Sequence, residues 1–187
     1  MKHFSLRLLP VAFVSLAAMM SASCDDDDST TSLADYQEWR KVNTDFFEEQ
    51  KYAMTPEGEM LYNTLTPSWN SGATLLIKYL NDRSKTEGNL SPMLTSRVSV
   101  KYIGRLYDGT PFDSSYTNTD SLFYTNLTDV ISGWTIALQY MRVGDSVRVV
   151  IPYTLGYGTQ VTAAIPPYST LLFDIKLTDI VDYEIKP

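Results

Sequence analysis

Val98-Ser99-Val100-Lys101-Tyr102-Ile103-Gly104-Arg105-Leu106 runs directly into Tyr107-Asp108-Gly109-Thr110. Val98, Val100, Tyr102 and Leu106 alternate with Ser99, Lys101 and Arg105, the period of a strand that buries one face. Asp-Gly behind such a run marks a hairpin, because its backbone accepts the positive φ that a tight turn needs. The chain therefore turns back, and residues 112–118 begin a return strand that breaks into a loop. Working outward, residues 73–80 read as a short apolar strand, and residues 81–96, with Gly88 and Pro92, as a polar loop. Phe123 and Tyr124 start another short strand. Val147, Val149 and Ile151 alternate until Pro152 stops them, and residues 156–167 form a loop. Leu171, Phe173, Ile175 and Leu177 form the longest strand. Only residues 130–141 break the period of two: Ile131, Trp134, Leu138 and Met141 recur at helical steps. Hairpin-linked strands with a single helix imply an α+β fold, an antiparallel sheet that covers its apolar face with that helix.

Upstream, Leu33, Tyr36, Trp39, Val42, Phe46 and Phe47 recur at steps of three and four, so a helix with an apolar stripe precedes the sheet. Ser32, three residues before Asp35, is placed to cap it. Thr55-Pro56-Glu57-Gly58 interrupts it, and Met60-Leu61-Tyr62 is expected to add a further helical turn. Residues 33–72 are thus a helical N-terminal segment and residues 73–187 the main domain. The stripe has two fates: packing on the domain, or pairing with a second copy as a homodimer through residues 33–52.

The first residues read as an address. Lys2, His3 and Arg7 are a basic start, and residues 8–20 are apolar, too short for the ~20 residues of a membrane span. Residues 1–23 suit a secretory signal peptide. Ser21-Ala22-Ser23-Cys24 resembles a bacterial lipobox, which makes Cys24 the lipid-anchored N-terminus of the mature protein. A secreted protein with an unmodified cysteine is the alternative. Residues 24–32, with four aspartates from Asp25 to Asp28, form a solvated acidic tether. An acidic run behind a lipid cysteine also resembles a surface-export signal of some Gram-negative lipoproteins; a plain spacer is the alternative. The expected location is extracytoplasmic, anchored to the bacterial outer membrane.

Composition narrows the chemistry. The chain has 187 residues, 44% hydrophobic and 20% charged, enough for one core with an appendage. Its formal charge is -7 and no basic stripe is visible, so nucleic acid is not an expected partner. The single histidine is His3 and the single cysteine Cys24. Once the leader is gone, Ser-His-Asp and Cys-His catalysis and zinc sites of His and Cys are excluded. One cysteine makes no disulfide within the chain. No phosphate-cradling glycine loop and no metal-ligand cluster is visible, so no cofactor and no metal is expected. Asp145 and Asp174 are isolated and read as turn or solvated positions.

Several aromatic residues stand beside turn and strand signals in a telling order. Val100-Lys101-Tyr102-Ile103-Gly104 is followed by Asp108-Gly109-Thr110-Pro111-Phe112-Asp113-Ser114-Ser115 and Val130-Ile131-Ser132-Gly133-Trp134. Met141-Arg142-Val143-Gly144, Gly156-Tyr157-Gly158, Ile165-Pro166-Pro167 and residues 171–177 complete the series. This series resembles the FKBP-type peptidyl-prolyl cis-trans isomerases over residues 73–183, and leaves out the helix at 33–52.

The resemblance implies a sheet of about five strands wrapped over the short helix, with a pocket between them. It implies Trp134 as the pocket floor and Tyr102, Phe112, Val130, Ile131 and Phe173 as walls, with Phe123 as the wall aromatic contributed earlier in the chain. Tyr157 would present a hydroxyl to the bound peptide, Ile165 would close the wall before the paired prolines, and Asp113 would lie beside the pocket and orient Tyr157. Asp113, Tyr157, Phe112 and Trp134 are the implied catalytic positions. The substrates would be proline-containing polypeptides. A module that binds such peptides or a partner protein without turnover is the other reading of the same pocket.

Overall fold

The computed structural model describes residues 33–183, and the expected signal peptide, Cys24 and acidic tether lie outside them. A 3-10 turn, Leu33–Tyr36, leads into helix α1, Gln37–Lys51. Seven strands follow: β1 (Asn63–Leu65), β2 (Leu75–Tyr79), β3 (Arg97–Leu106), β4 (Pro111–Ser114), β5 (Phe123–Asn126), β6 (Ser146–Ile151) and β7 (Leu171–Asp182). Helix α2, Ser132–Tyr140, sits between β5 and β6.

The strands form one antiparallel sheet in the order β1-β2-β6-β7-β3-β4, with β5 also paired to β3. β3 is the axis. One edge runs along β7 from Arg97 to Leu106. The other is shared, its first half with β5 and its second half with β4, so the hairpin at Gly109 (φ 88°) folds back as read.

Alternation sorts the two faces. Val98, Val100, Val147, Val149, Ile151, Phe173, Ile175 and Leu177 point toward α2 and join the main core with Trp134, Ala137 and Leu138. Leu76 and Val150, one residue out of phase and paired across β2 and β6, point the other way. There they meet Phe47 of α1 and Tyr62 in a second cluster. Burying each such side chain contributes about 1.5–3 kcal/mol. The aromatic stripe of α1 is thereby spent on the outer face of its own sheet. Trp39 also packs edge-on against Tyr107 at 5.3 Å and Phe46 lies 5.8 Å from the same ring. Phe46, Phe47 and Trp39 of the stripe thus pack on their own domain, while Leu33 at its start is exposed.

Several sequence readings are corrected. Met60-Leu61-Tyr62 is not helical: Met60 bridges Met54, and the Leu61 N–H bonds the Ala53 carbonyl at 2.8 Å. The next residues form β1, which gains backbone partners from the free edge of β2 that a lone helical turn would lack. With β1 added, and with β4 and β5 as separate short strands along β3, the described residues hold seven strands where about five were expected. The expected Ser32 cap lies outside the described residues, and α1 starts from the 3-10 turn with no side-chain cap at Tyr36. Asp145 does serve a turn, bonding Arg142 through both its N–H and its carboxylate, but it is fully buried and not isolated, and Asp174 bridges Arg105 and Arg148 on the sheet.

α2 lies directly on β6. A Cβ on Gly133 would stand 2.5 Å from Ile151 Cγ2, so only glycine lets the helix start there. That close approach seats the next residue, Trp134, against the sheet.

Candidate active site

Between α2 and the concave face of the sheet lies a cavity of about 210 Å³. The indole of Trp134, 4% exposed, forms its floor. Tyr102 of β3 meets it edge-on at 4.9 Å and 87°, and Phe173 of β7 at 5.2 Å and 85°. Phe112 of β4 stands edge-on to Phe173 at 5.5 Å, and Phe123 of β5 edge-on to Tyr102 at 5.7 Å. This arrangement sets the positive edge of one ring against the negative face of the next and fixes the walls without a covalent link. It depends on Gly104. A Cβ there would stand 2.7 Å from atoms of both Phe112 and Phe173, so any side chain would push the two rings apart.

The polar groups are few. Asp113 accepts the Tyr102 hydroxyl at 2.5 Å with Oδ2 and the Ser114 N–H at 2.7 Å with Oδ1. Both oxygens are engaged, and the partner is Tyr102 rather than Tyr157. The expectation that Asp113 orients Tyr157 is therefore corrected: it holds the Tyr102 wall and reaches Tyr157 only through its charge. Burial, then the bond to Asp113, pushes the Tyr102 hydroxyl far up; burial, then the Asp113 charge, raises Tyr157. Both phenols are protonated at neutral pH and remain donors. The Tyr157 hydroxyl makes no hydrogen bond to the described residues, and its side chain is 37% exposed at the cavity mouth. The Trp134 Nε1–H is buried with no partner. Among the described residues no group of three or more His, Cys, Asp or Glu is placed to hold a metal.

Chemically, the cavity offers aromatic surface, neutral donors and two carboxylates, and its lining holds no thiol, imidazole or amine. The Val130-Ile131 corner enters α2 here. The Ile131 carbonyl accepts from the N–H groups of Trp134 and Thr135. Its own N–H precedes the first helical turn and has no intrahelical acceptor.

A comparison with protein families matches residues 88–178 to the FKBP-type peptidyl-prolyl cis-trans isomerase family. Residues 88–178 are an FKBP domain. The same region is 46% identical over 101 residues to the macrophage infectivity potentiator of Trypanosoma cruzi, covering 53% of this chain and 50% of that protein. It is 42% identical over 90 residues to the FKBP-type isomerase FkpA of Escherichia coli, covering 48% of this chain and 33% of that one. The chain thus matches half or less of the length of these two relatives. Among solved structures, a peptidyl-prolyl cis-trans isomerase of Pseudomonas syringae superposes with a TM-score of 0.60 at 29% identity, covering 78% of this chain and 95% of that one. The crystal structure of Escherichia coli FkpA gives 0.58 at 30% identity, covering 81% and 62%.

Nine of the ten pocket positions read from the sequence line the cavity of this FKBP domain: Tyr102, Phe112, Asp113, Phe123, Val130, Ile131, Trp134, Tyr157 and Phe173. Ile165 does not. It is 5% exposed in the main core, drawn there by a small turn in which its N–H bonds Thr162 Oγ1 at 2.9 Å. Asp129 lines the mouth and was not singled out from sequence. Its carboxylate accepts from Asn126 Nδ2 and Thr128 Oγ1. In sequence it looks like any acid in a polar turn, and no local signal marks it.

Proposed function

We propose that the chain is a peptidyl-prolyl cis-trans isomerase acting on proline-containing polypeptides. The observation that carries this reading is the Trp134 floor, edge-packed by Tyr102 and Phe173 inside a small cavity with a neutral hydroxyl at its mouth. Rotation about an X-Pro bond faces a barrier of ~18–20 kcal/mol set by amide resonance. The twisted transition state has lost part of the charge separation of the planar amide. An apolar aromatic cavity therefore favours it over the ground state. A thousandfold acceleration needs only ~4 kcal/mol. Tyr157, and the Ile131 N–H, would hold peptide carbonyls while the ring turns over Trp134. Asp113 holds Tyr102 in place and transfers no proton.

In an isomerisation assay on proline peptides, a soluble form starting at residue 30 should act well above the uncatalysed rate. Tyr157→Phe combined with Asp113→Leu should lower kcat/KM about tenfold to a hundredfold, the effect of losing one or two hydrogen bonds. Peptide binding without any acceleration would instead select the non-catalytic module.

We further propose that the protein works in the cell envelope, held by a lipid on Cys24 at the outer membrane. The lipobox-like end of the leader and the acidic tether support this. X-Pro isomerisation is slow enough to limit the folding of exported chains. Cys24→Ala should release the protein from the membrane fraction; retention of the variant there would refute the anchor.

A further inference from the structure

Helix α1 lies outside the matched FKBP domain, yet besides its packing on the sheet it sends hydrogen bonds to one segment, the end of the loop that presents Tyr157. Asn43 is completely buried. Its Oδ1 accepts the Thr170 N–H at 2.7 Å, and its backbone carbonyl accepts the Thr170 hydroxyl at 2.9 Å. One turn earlier, the Trp39 Nε1–H donates to Ser169 Oγ at 3.1 Å, and that hydroxyl donates to the Pro166 carbonyl at 2.6 Å. The Arg40 guanidinium lies 5.0 Å above the Tyr168 ring and 5.8 Å from that of Tyr153.

These grips meet a strained point. Tyr168 has a φ of 63°, a conformation that a non-glycine side chain seldom adopts. In that conformation its N–H bonds the carbonyl of Gly158 at 2.8 Å and closes the loop at its base. Gly158, also at a φ of 63°, directly follows Tyr157. A continuous path therefore runs from α1 through Ser169 and Tyr168 to the residue beside the cavity-mouth hydroxyl. Strained backbone persists only where its surroundings over-determine it, and α1 supplies those surroundings.

We propose that α1 is a positioning element for the active site: Trp39, Arg40 and Asn43 lock the base of the 158–168 loop and so fix where Tyr157 stands. This rests on the isomerase reading for its catalytic consequence, but its structural claim is measurable without it. None of Trp39, Arg40 and Asn43 lines the cavity itself.

The test uses the full chain. Arg40 is exposed, so Arg40→Met removes the charge over Tyr168 while leaving the fold intact, and Trp39→Phe keeps the ring against Tyr107 while deleting the donor to Ser169. In the double variant, amide hydrogen exchange over residues 158–168 should rise at least tenfold, with exchange in β3 unchanged. The apparent KM for a proline peptide should rise about threefold to tenfold, and kcat should change less. Thr86→Val, which weakens the Asp145 cluster on another part of the molecule, serves as a control of comparable melting temperature and should leave loop exchange and KM alone. Unchanged loop exchange and KM in the double variant would overturn the proposal and leave α1 as packing only. Equal effects from Thr86→Val would overturn it too, because general destabilisation would then explain them. If the unmodified chain accelerates no peptide but the double variant still unlocks the loop, the isomerase reading falls and the positioning of the loop stands.

Discussion

Trp134→Ala will lower the unfolding free energy by about 3–5 kcal/mol, the range for emptying the site of a buried aromatic. In a domain of this size each kcal/mol corresponds to roughly 2–4 °C, so the melting temperature should drop by roughly 6–20 °C. The loss is large because Trp134 does two things. It fills the space under Tyr102 and Phe173, with ring centroids within 5.2 Å of both, and it anchors α2 to the sheet through Gly133. Isomerisation should fall at least tenfold, since both walls lose the surface they stand on. Trp134→Phe separates the contributions. It retains a ring for the edge contacts and removes an indole N–H that is buried without a partner, a group whose isolation costs about 1–3 kcal/mol. The phenylalanine variant should therefore keep most of the stability and lose mainly activity. An alanine variant that melts within 2 °C of the parent would show that the floor is not integral to the core.

The second large effect belongs to Asp145, far from the cavity. Its carboxylate is fully buried and accepts three hydrogen bonds, from Asn81 Nδ2 at 3.1 Å, Thr86 Oγ1 at 2.6 Å and the Arg142 N–H at 2.9 Å, and it forms an ion pair with Arg83, whose Nε stands 3.4 Å away. Together these pin the loop between β2 and β3 to the turn before β6. Asp145→Asn turns one acceptor into a donor facing donors and should cost about 3 kcal/mol in urea unfolding at pH 7. Burial pushes the acid up, but the hydrogen bonds from Thr86, Arg142 and Asn81, with the Arg83 charge, outweigh it and hold it below the ordinary aspartate value. The folded value is thus lower than the unfolded one of about 3.9. The carboxylate's contribution is complete above that unfolded value and is lost as pH falls through the folded one. Asp174, held down against its burial by Arg148 and Arg105, has the same sign. Stability of the parent should consequently fall steeply below about pH 4. In Asp145→Asn that slope should be shallower, by at most one proton. An identical slope in both would show that Asp145 titrates alike in the folded and unfolded chains.

Much of the site was legible before any coordinates. Alternation in residues 98–106 and 171–177 put Tyr102 and Phe173 each on the apolar face of its own strand, helical spacing put Trp134 and Ile131 on one side of α2, and the resemblance to the FKBP family implied that they share a pocket. The strand and helix faces are short-range facts: a period of two or 3.6 states which side chains of one element share a face. Ile165 shows the limit. Its neighbours read as a loop, and loop residues have no period to reveal that a hydrogen bond from its N–H to Thr162 turns it into the core. Asp129 is the same case in reverse, an ordinary turn acid that the path of the chain happens to bring to the cavity mouth.

By itself, then, the order of residues determined the strand-and-helix pattern and the absence of imidazole and thiol chemistry from residues 33–183, while the aromatic set of the cavity was implied by the resemblance to the FKBP family. The first two follow from covalent periodicity and from residue chemistry, which need no partner to be evaluated. Tertiary structure alone decided that residues 63–65 join the sheet, that Asp145 is buried, that Asp113 grips Tyr102 rather than Tyr157, and that α1 bonds Ser169 and Thr170. Each of these joins groups distant in the chain or chooses among several competing partners. A hydrogen bond of that kind depends on ångström distances that only the packed chain sets.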